Sequence, residues 1–524
     1  MDILRTEMTC SDPPEVPFAT LVFDSIVEHG NAIALVNPLT NETHTFEEVA
    51  SAIEKVSSSL QMEGLSNGDR VAFCVPNSIE ACISLLAVSR CGATITLANP
   101  LYTHRELEHF VEVAEPTHWF CTSAVIPRIS VTHGLRKIFV FDTNKETREK
   151  YVTYDELLHA NVNLDFLPPK INLDDIATMP FSSGTTGLPK GVMLTHRNLV
   201  AALTQAKSWL HDLNKGDTCV GFLPLFHQYG LMLSFYCLMR GVKLILMPRF
   251  SLTNLLEYIQ KFKITVIPLV PPVALQLAKN PIVDNYDVSS IKCIINSAAA
   301  LTAEVAELVN KRLNASVKQG YGLTETTFAT HYTSGSVKAG AIGKLLPFVE
   351  AKIADIETNT SLGPNQDGEI LVRGPLIMKG YRHNIEETRN CIDENGWLHT
   401  GDIGYYDDSL CFWYKDRKKE LIKYNANQVP PAELEGLLAA HPEVVDAAVV
   451  GVPDATSGEL PRAYIVKRKD SNVTANQIAD YIAENVAPFK KLRGGVVFTD
   501  IIPRSASGKI LRRELKAKMM KELK

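Results

Sequence analysis

Short, unbroken apolar runs alternate with helical segments through most of the first 320 residues, and few folds accommodate that rhythm. "RVAFCVP" (Arg70–Pro76) is a short buried strand, "SIEACISLLAVSRCG" (Ser78–Gly92) a helix closing on glycine, and "ATITLANP" (Ala93–Pro100) the next strand. Strand, helix, strand at this spacing predicts βαβ units and a parallel sheet. The segment "THTFEEVASAIEKVSSSLQMEG" carries its own start and stop signals: Thr45 can cap, Glu48 stands three residues on, and Gly64 follows the end. The rhythm returns in "TCVGFLP", "LTNLLEYIQKFK", "ITVIPLVPP", whose strand is expected to stop at two prolines, "IKCIINSAAA" and "TAEVAELVNKRL".

Two changes of character follow. Over residues 340–415 the short strands "AKIADIE", "GEILVRG" and "LCFWYK" lie between Gly and Asn/Asp turns, which predicts an antiparallel β unit. From about residue 416, helices ("PPAELEGLLAAHP", "ANQIADYIAENV") and strands ("DAAVVGVP", "RAYIVKR") predict a small α+β module. At 524 residues, 45% apolar and 21% charged, the chain has globular composition and excludes a mostly disordered or collagen-like molecule. Its net charge is −6, with residues 416–524 carrying 19 Lys and Arg against 14 Asp and Glu. That basic segment on an acidic body suits a polyanionic small molecule, and no nucleic-acid partner is expected. The ten cysteines are scattered without a C-x-x-C pair, as reduced thiols in a core would be. The longest apolar stretch is cut by Arg240 and Lys243, so no transmembrane segment is expected, and the N-terminus lacks the pattern of a secretory signal.

The strongest local signal is "FSSGTTGLPKGVMLTHRNL" (Phe181–Leu199). Gly184, Gly187 and Gly191 let backbone N–H groups converge on one anion; Ser182, Ser183, Thr185 and Thr186 add hydroxyl donors, and Lys190 adds charge. Such a loop can cradle a phosphate. It is not a Walker A loop, since Pro189 stands where the second glycine would be. Nor is "GYGLTE" (Gly320–Glu325) a dinucleotide fingerprint, for it lacks the third glycine.

"SSGTTGLPKG" resembles the signature loop of the adenylate-forming superfamily: acyl-CoA synthetases, 4-coumarate–CoA ligases, beetle luciferases and peptide-synthetase adenylation domains. The resemblance continues in order through "QGYGLTETT" (Gln319–Thr327), "GWLHTGDIGYYD" (Gly396–Asp407), "DRKKELIKY" (Asp416–Tyr424) and "PRSASGKILRREL" (Pro503–Leu515). "LPLFHQYGL" and "PPAELE" are most similar to the coumarate ligase and luciferase branch. The resemblance implies an α/β fold: a large domain over residues 1–415 with a small β-barrel subdomain at about 340–415, a hinge at 416–419, and a mobile α+β lid over 420–524. It implies ATP and coenzyme A as co-substrates with Mg2+, and a small-molecule carboxylic acid that attacks the α-phosphate. The acyl-AMP so formed is then transferred to a thiol.

By the same resemblance, the loop Ser182–Lys190 holds the β- and γ-phosphates, and Gln319, Gly320, Tyr321 and Gly322 line the nucleotide, with Tyr321 against adenine. Thr324 donates to the α-phosphate, Glu325 is the magnesium carboxylate, and Asp402 and Arg417 hold the ribose. Lys509 serves adenylation, and Lys423 with Gln428 serves the thioester step. His227 matches a histidine beside the carboxylate, and Tyr229, Ser297, Ala298 and Phe328 are expected around the acyl group. Taken singly such residues are ordinary: a lone Tyr is usually core, an Asp after Gly usually a turn residue, a lone His more often structural than catalytic.

Two segments depart from the family pattern. In "NSAAAL" (Asn296–Leu301), Asn296, Ser297 and Ala300 replace Ser, Gly and Pro, and with Phe328 nearby this predicts an acyl pocket that does not copy the coumarate ligases. In "YNANQV" (Tyr424–Val429), Asn425, Ala426 and Asn427 stand where relatives have Lys, Gly and an aromatic residue. The favoured expectation is an acid–CoA ligase acting on a hydrophobic or aryl-alkenoic acid. Adenylation alone, transfer to a carrier-protein thiol, and luciferase-like oxidation are alternatives. A catalytically weak acyl-adenylate or acyl-CoA binding protein is the alternative from another class. A cytoplasmic location is expected, as the terminal "ELK" is no clear peroxisomal tripeptide.

Overall fold

The computed structural model describes residues 3–129, 134–142, 145–161, 166–182, 189–299, 301, 303–333, 341–425, 427–454, 456–505 and 508–522. Its two large sheets enclose a layer of helices. One is built on the parallel strands Ile33–Val36, Lys243–Leu246, Thr218–Gly221, Val266–Leu269, Cys293–Asn296 and Ser316–Tyr321, in that spatial order. The other has parallel strands Ile176–Met179, Thr94–Leu97, Arg70–Cys74, His118–Cys121 and Lys137–Val140, flanked by the antiparallel strand Lys190–Thr195. The expected βαβ rhythm is therefore present in both sheets.

Helices Phe18–Val27, Ile79–Arg90 and Gln228–Met239 fill the space between. Every residue of Ile79–Arg90 except Glu80 is buried, as is every residue of Gln228–Met239 except Tyr229. A helix that is apolar all round has no solvent face to offer, which is why these two lie inside. The helix Phe46–Met62 starts as its sequence dictates: the Thr45 hydroxyl accepts from Glu48 N–H while the Glu48 carboxylate accepts from Thr45 N–H. No helix among the described residues is long and apolar enough to cross a membrane, and the ten cysteines are free thiols.

The antiparallel strands expected over 340–415 are Ala341–Leu345, Glu350–Ala354, Gly368–Arg373, Leu398–Tyr406 and Phe412–Arg417. They continue the first sheet through the short strand His331–Tyr332. Among the described residues they form an antiparallel extension of the large sheet. Pro271 and Pro272, read in the sequence as the end of a strand, also open the helix Pro271–Lys279. Proline is preorganised for a first helical turn, where its missing N–H has no partner to lose.

The C-terminal residues form a third sheet, with Val444–Asp454 and Gly458–Lys467 as its long antiparallel pair. Helices Pro431–Ala440 and Ala475–Asn485 pack on it over a separate apolar cluster that includes Leu434, Leu438, Ile478 and Ile482. The helix Arg512–Glu522 packs on its other side, with Leu515 and Met519 buried.

The first strand of the antiparallel extension depends on Gly343, at a register shift in its pairing with Phe412–Arg417. Its φ is +99°, and a Cβ there would lie 2.1 Å from the carbonyl carbon and oxygen of Tyr332. Gly343→Ala is expected to destabilise the large unit by at least about 2 kcal/mol. Gly363→Ala, whose nearest new contact is 3.8 Å, should change stability by less than about 0.5 kcal/mol. Urea unfolding of the two variants checks this, and equal stabilities would refute the packing described.

Candidate active site

The site lies where parallel strands Cys293–Asn296 and Ser316–Tyr321 deliver their C-terminal ends, the usual place for a ligand crevice in an open α/β sheet. Gly320 and Tyr321 end the second strand, and the chain then turns through Gly322 into the 3-10 turn Thr324–Thr326. Gly322 is required there, because a Cβ would stand 2.1 Å from the Phe328 carbonyl oxygen. The buried Thr326 hydroxyl accepts from Leu323 N–H (2.8 Å) and lies 2.9 Å from the Phe328 carbonyl, so the turn carrying Thr324 and Glu325 is held rigidly.

The antiparallel extension brings a second set of groups. Asp402 and Arg417 are cross-strand partners in register, and Arg417 Nε lies 2.6 Å from Asp402 Oδ1. The Tyr321 hydroxyl donates to Asp402 Oδ2 at 2.6 Å. Burial pushes the Asp402 carboxyl above its usual range, and Arg417 and Tyr321 oppose that shift. Asp402 holds the Arg417 guanidinium above the ordinary arginine value.

The small C-terminal unit supplies Lys509. Burial and the neighbouring Arg417 hold its ammonium below the usual lysine range, while Glu325, Asp402 and Glu420 pull the other way. Lys509 also faces His227. Burial, and then the Lys509 charge, bring the His227 imidazole down to about 4, so it is neutral at pH 7. His227 caps the helix Gln228–Met239, its Nδ1 accepting from Tyr229 N–H at 3.4 Å. Charges from well-separated segments thus act on one another: Lys509 on His227, and Glu325, Asp402 and Arg417 on Lys509.

Of the phosphate-loop residues, Ser182 and Lys190 pair across the short hairpin that carries the loop. Ser183, Gly184, Thr185, Thr186 and Gly187 lie outside the described residues. Lys190 pairs with Glu387 and sits 4.9 Å above the ring of Tyr381. The Tyr381 hydroxyl donates to Glu325 Oε1 at 2.8 Å, so one tyrosine links the loop lysine to the Glu325 carboxylate. Sequence reading missed Tyr381 and Glu387, whose local signals are only a Gly-Tyr pair and an acidic first helical turn.

The remaining expected residues divide. Ser297 bridges the two strand ends, its hydroxyl donating to the Gly320 carbonyl at 2.9 Å, and Ala298 adopts a left-handed φ of +69°. The Tyr229 hydroxyl donates to the Ile295 carbonyl at 2.9 Å. Phe328 is buried against Trp209, ring centroids 5.4 Å apart, and Trp209 packs on Tyr332 at 4.5 Å. Gln319, expected on the nucleotide, uses its buried amide to anchor the loop: Oε1 accepts from Leu301 N–H (2.9 Å) and Nε2 donates to the Ala341 carbonyl (3.3 Å). Lys423 and Gln428 lie on an exposed hairpin of the small unit, apart from the group around Lys509. Ala300 and Ala426 lie outside the described residues.

A family model described as "AMP-binding enzyme" matches residues 22–382, and one described as "AMP-binding enzyme C-terminal domain" matches residues 433–509. The chain is 39% identical to 4-coumarate-CoA ligase 1 of Narcissus pseudonarcissus over 97% of its own length and 95% of that protein's. It is 38% identical to 4-coumarate–CoA ligase 1 of Petroselinum crispum over the same shares. Among solved structures, ATP-bound MatB from Rhodopseudomonas palustris matches with a TM-score of 0.85 at 27% identity, covering 95% of this chain and 98% of that one. The o-succinylbenzoate CoA synthetase MenE of Bacillus subtilis, in complex with its acyl-adenylate intermediate, matches at 0.79 and 28%, covering 96% and 98%. The chain belongs to the AMP-binding enzyme family, the adenylate-forming superfamily its motifs resemble. Within it, it is an AMP-forming acid–thiol ligase of the acyl-CoA synthetase type.

The meeting of Lys509 with His227 can be checked by imidazole NMR. His227 should titrate near 4 in the intact protein. Lys509→Met removes a like charge, so the His227 pKa should rise towards the ordinary histidine range. A His227 pKa unchanged by that substitution would show that the two side chains do not meet.

Proposed function

We propose that this enzyme activates a hydrophobic or aryl-alkenoic carboxylic acid with ATP and passes the acyl group to coenzyme A. A carboxylate oxygen of the acid attacks the α-phosphorus of ATP, the bond to the β-phosphate oxygen breaks, and pyrophosphate leaves. The coenzyme A sulfur then attacks the acyl carbon, and the bond to AMP breaks. The observation that carries this reading is the buried Asp402–Arg417–Tyr321 cluster at the strand ends, with the loop that carries Lys509 packed on the large unit through Gly508.

Concentrated negative charge develops around the α-phosphate in the first step, so catalysis is mainly positioning and electrostatic stabilisation. Lys509 suits that task as a point charge on a flexible stem, held where its partners already lie. Thr324 and Arg417 add donors on either side. Ser182, Lys190 and the loop between them are assigned to the departing phosphates, with Lys190 exchanging Glu387 for phosphate oxygen. Asp402, with two oxygens and spare lone pairs beyond those used by Tyr321 and Arg417, is assigned to the ribose hydroxyls. It is only 1% exposed in this arrangement, so ATP enters before the small unit closes.

Glu325 fits a magnesium ion. It is a hard oxygen donor linked through Tyr381 to Lys190, and the Tyr381 hydroxyl occupies one of its two oxygens. When bound, the ion neutralises phosphate charge. His227 is neutral at pH 7 and is assigned to orienting the carboxylate rather than to proton transfer. Tyr229, Ser297, Ala298 and the aromatic wall of Phe328, Trp209 and Tyr332 favour a hydrophobic, ring-bearing acid, as the names of the 4-coumarate relatives also suggest.

We assign residues 1–415 to the large domain, 416–419 to a hinge and 420–524 to the lid. The Lys418 ammonium donates to Glu369 Oε2 at 3.0 Å. Burial alone would raise the Glu369 carboxyl, but His399, Lys418 and Gly401 N–H outweigh it and hold the group at about 2. The second step brings Lys423 and Gln428 to the adenylate in place of Lys509.

The reading is tested by supplying ATP and a panel of acids with and without coenzyme A. AMP, pyrophosphate and acyl-CoA are the expected products; ADP would overturn it, and acyl-AMP without thioester would restrict it to adenylation. Lys509→Ala should slow acyl-AMP formation by about 100- to 1,000-fold while leaving thioester formation from preformed acyl-AMP intact. Equal loss of both half-reactions would contradict the division of labour between the two lysines.

A further inference from the structure

The helix Pro271–Lys279 of the large domain touches the small unit at both ends. At its start, Val270 and Pro272 pack on the loop that carries Lys509: a Cβ added to Gly508 would lie 3.2 Å from Val270 Cγ2 and 3.4 Å from Pro272 Cγ. Gly508 has a φ of +80°, so both its conformation and its contact call for glycine. At the helix's other end, the Lys279 ammonium donates to three backbone carbonyls of the small unit: Ala439, His441 at 3.1 Å and Val444 at 3.1 Å.

Those acceptors lie in the last turn of the helix Pro431–Ala440, at its C-cap His441, and at Val444, which opens the following strand. The last carbonyls of a helix have no partner within it, and they carry the negative end of its dipole. An ammonium has three donors, and here all three are matched. Among the described residues Lys279 makes no ion pair. The nearest charge acting on it is Arg468, of the same sign, which with burial holds Lys279 below the usual lysine range. Arg468 itself is turned to the Pro442 carbonyl at 2.7 Å.

The large-domain side of this contact is firmly built. Arg312 donates to the Ala278 carbonyl at 2.9 Å and to Asp284 at 2.7 Å, holding the end of the helix in place. We propose that Lys279 is a positioning residue for adenylation: by gripping the end of helix Pro431–Ala440 it holds the small unit in the one orientation that seats Lys509 among Glu325, Asp402 and His227. This rests on the two-step reading given above. Rotation about residues 416–419 would break all three Lys279 bonds and part Gly508 from Val270 and Pro272 together. The contact therefore favours the adenylation arrangement and offers nothing to the other.

The test compares Lys279→Met and Lys279→Arg with the parent enzyme in each half-reaction and by amide hydrogen exchange without substrates. Lys279→Met should lower the rate of acyl-AMP formation about tenfold, with the KM for ATP little changed. Thioester formation from preformed acyl-AMP should be unchanged or faster. Exchange should rise in residues 436–446 and 508–511 and stay constant in the large-domain strands. Lys279→Arg, which keeps a cation and its donors, should recover part of the adenylation rate. Unchanged adenylation, equal loss in both half-reactions, or exchange that does not move would each overturn the proposal. Should Lys279→Met not fold, Lys279→Gln is put through the same comparison and decides in the same way. If the parent enzyme formed no acyl-AMP from any acid, the functional reading would fall, and the exchange comparison would still decide whether Lys279 holds the small unit.

Discussion

A lysine ammonium buried beside an arginine is costly to place, and the molecule is organised around placing one. Lys509 meets the repulsion of Arg417 and loses water. The charges of Glu325, Asp402 and Glu420 act the other way and favour the charged form. A cation already desolvated and already oriented needs no reorganisation when negative charge grows at a phosphate, which is the condition for electrostatic catalysis. The two large sheets supply the strand ends that carry Tyr321 and Glu325. The antiparallel extension supplies Asp402 and Arg417 as a cross-strand pair.

The same constraint would account for the proposed hinge. Lys509 can be removed from the site only if it belongs to a separate body with its own core, and the small unit has one, around Leu434, Leu438, Ile478 and Ile482. Its contacts with the large unit are both apolar, at Gly508 on Val270 and Pro272, and polar, at Lys279. Asp416 lies where the two meet: its Oδ2 accepts from Ala432 N–H at 2.8 Å, in the first turn of the helix Pro431–Ala440, and its Oδ1 from Arg417 N–H at 2.7 Å. Burial raises the Asp416 carboxyl to about 7, with Arg512 opposing. Lys279 grips the far end of the same helix. That helix is therefore held at both termini by groups outside it, and its orientation sets that of the unit carrying Lys509.

Much of the fold was legible because its signals are local. The capping box at Thr45 and Glu48, the glycine closing the helix before Gly92, and the alternation of apolar runs with helices each depend on neighbours a few residues apart. The double proline at Pro271 was read for only half of what it does, because proline ends a strand and begins a helix equally well, and here both happen. The antiparallel extension was read correctly as strands but not as part of the large sheet, since no local pattern says which edge a strand joins. The site residues expected from the sequence all lie within or directly beside named motifs. Tyr381 and Glu387 were missed, because their link to Lys190 and Glu325 joins segments far apart in the chain.

The amino-acid sequence by itself determined the secondary structure, the parallel class of the sheets and the kinds of chemical group available, since burial periodicity and side-chain identity are written residue by residue. Tertiary structure alone decided which of those groups meet. Whether His227 is neutral depends on the depth of its burial and on a lysine 282 positions away. Whether Lys279 is one more surface cation or a clamp depends on three carbonyls more than 150 positions away that come within reach only when two independently packed bodies dock. Electrostatic interaction and hydrogen bonding act through space and fall off over a few ångströms, so their outcome follows from packing and not from order along the chain.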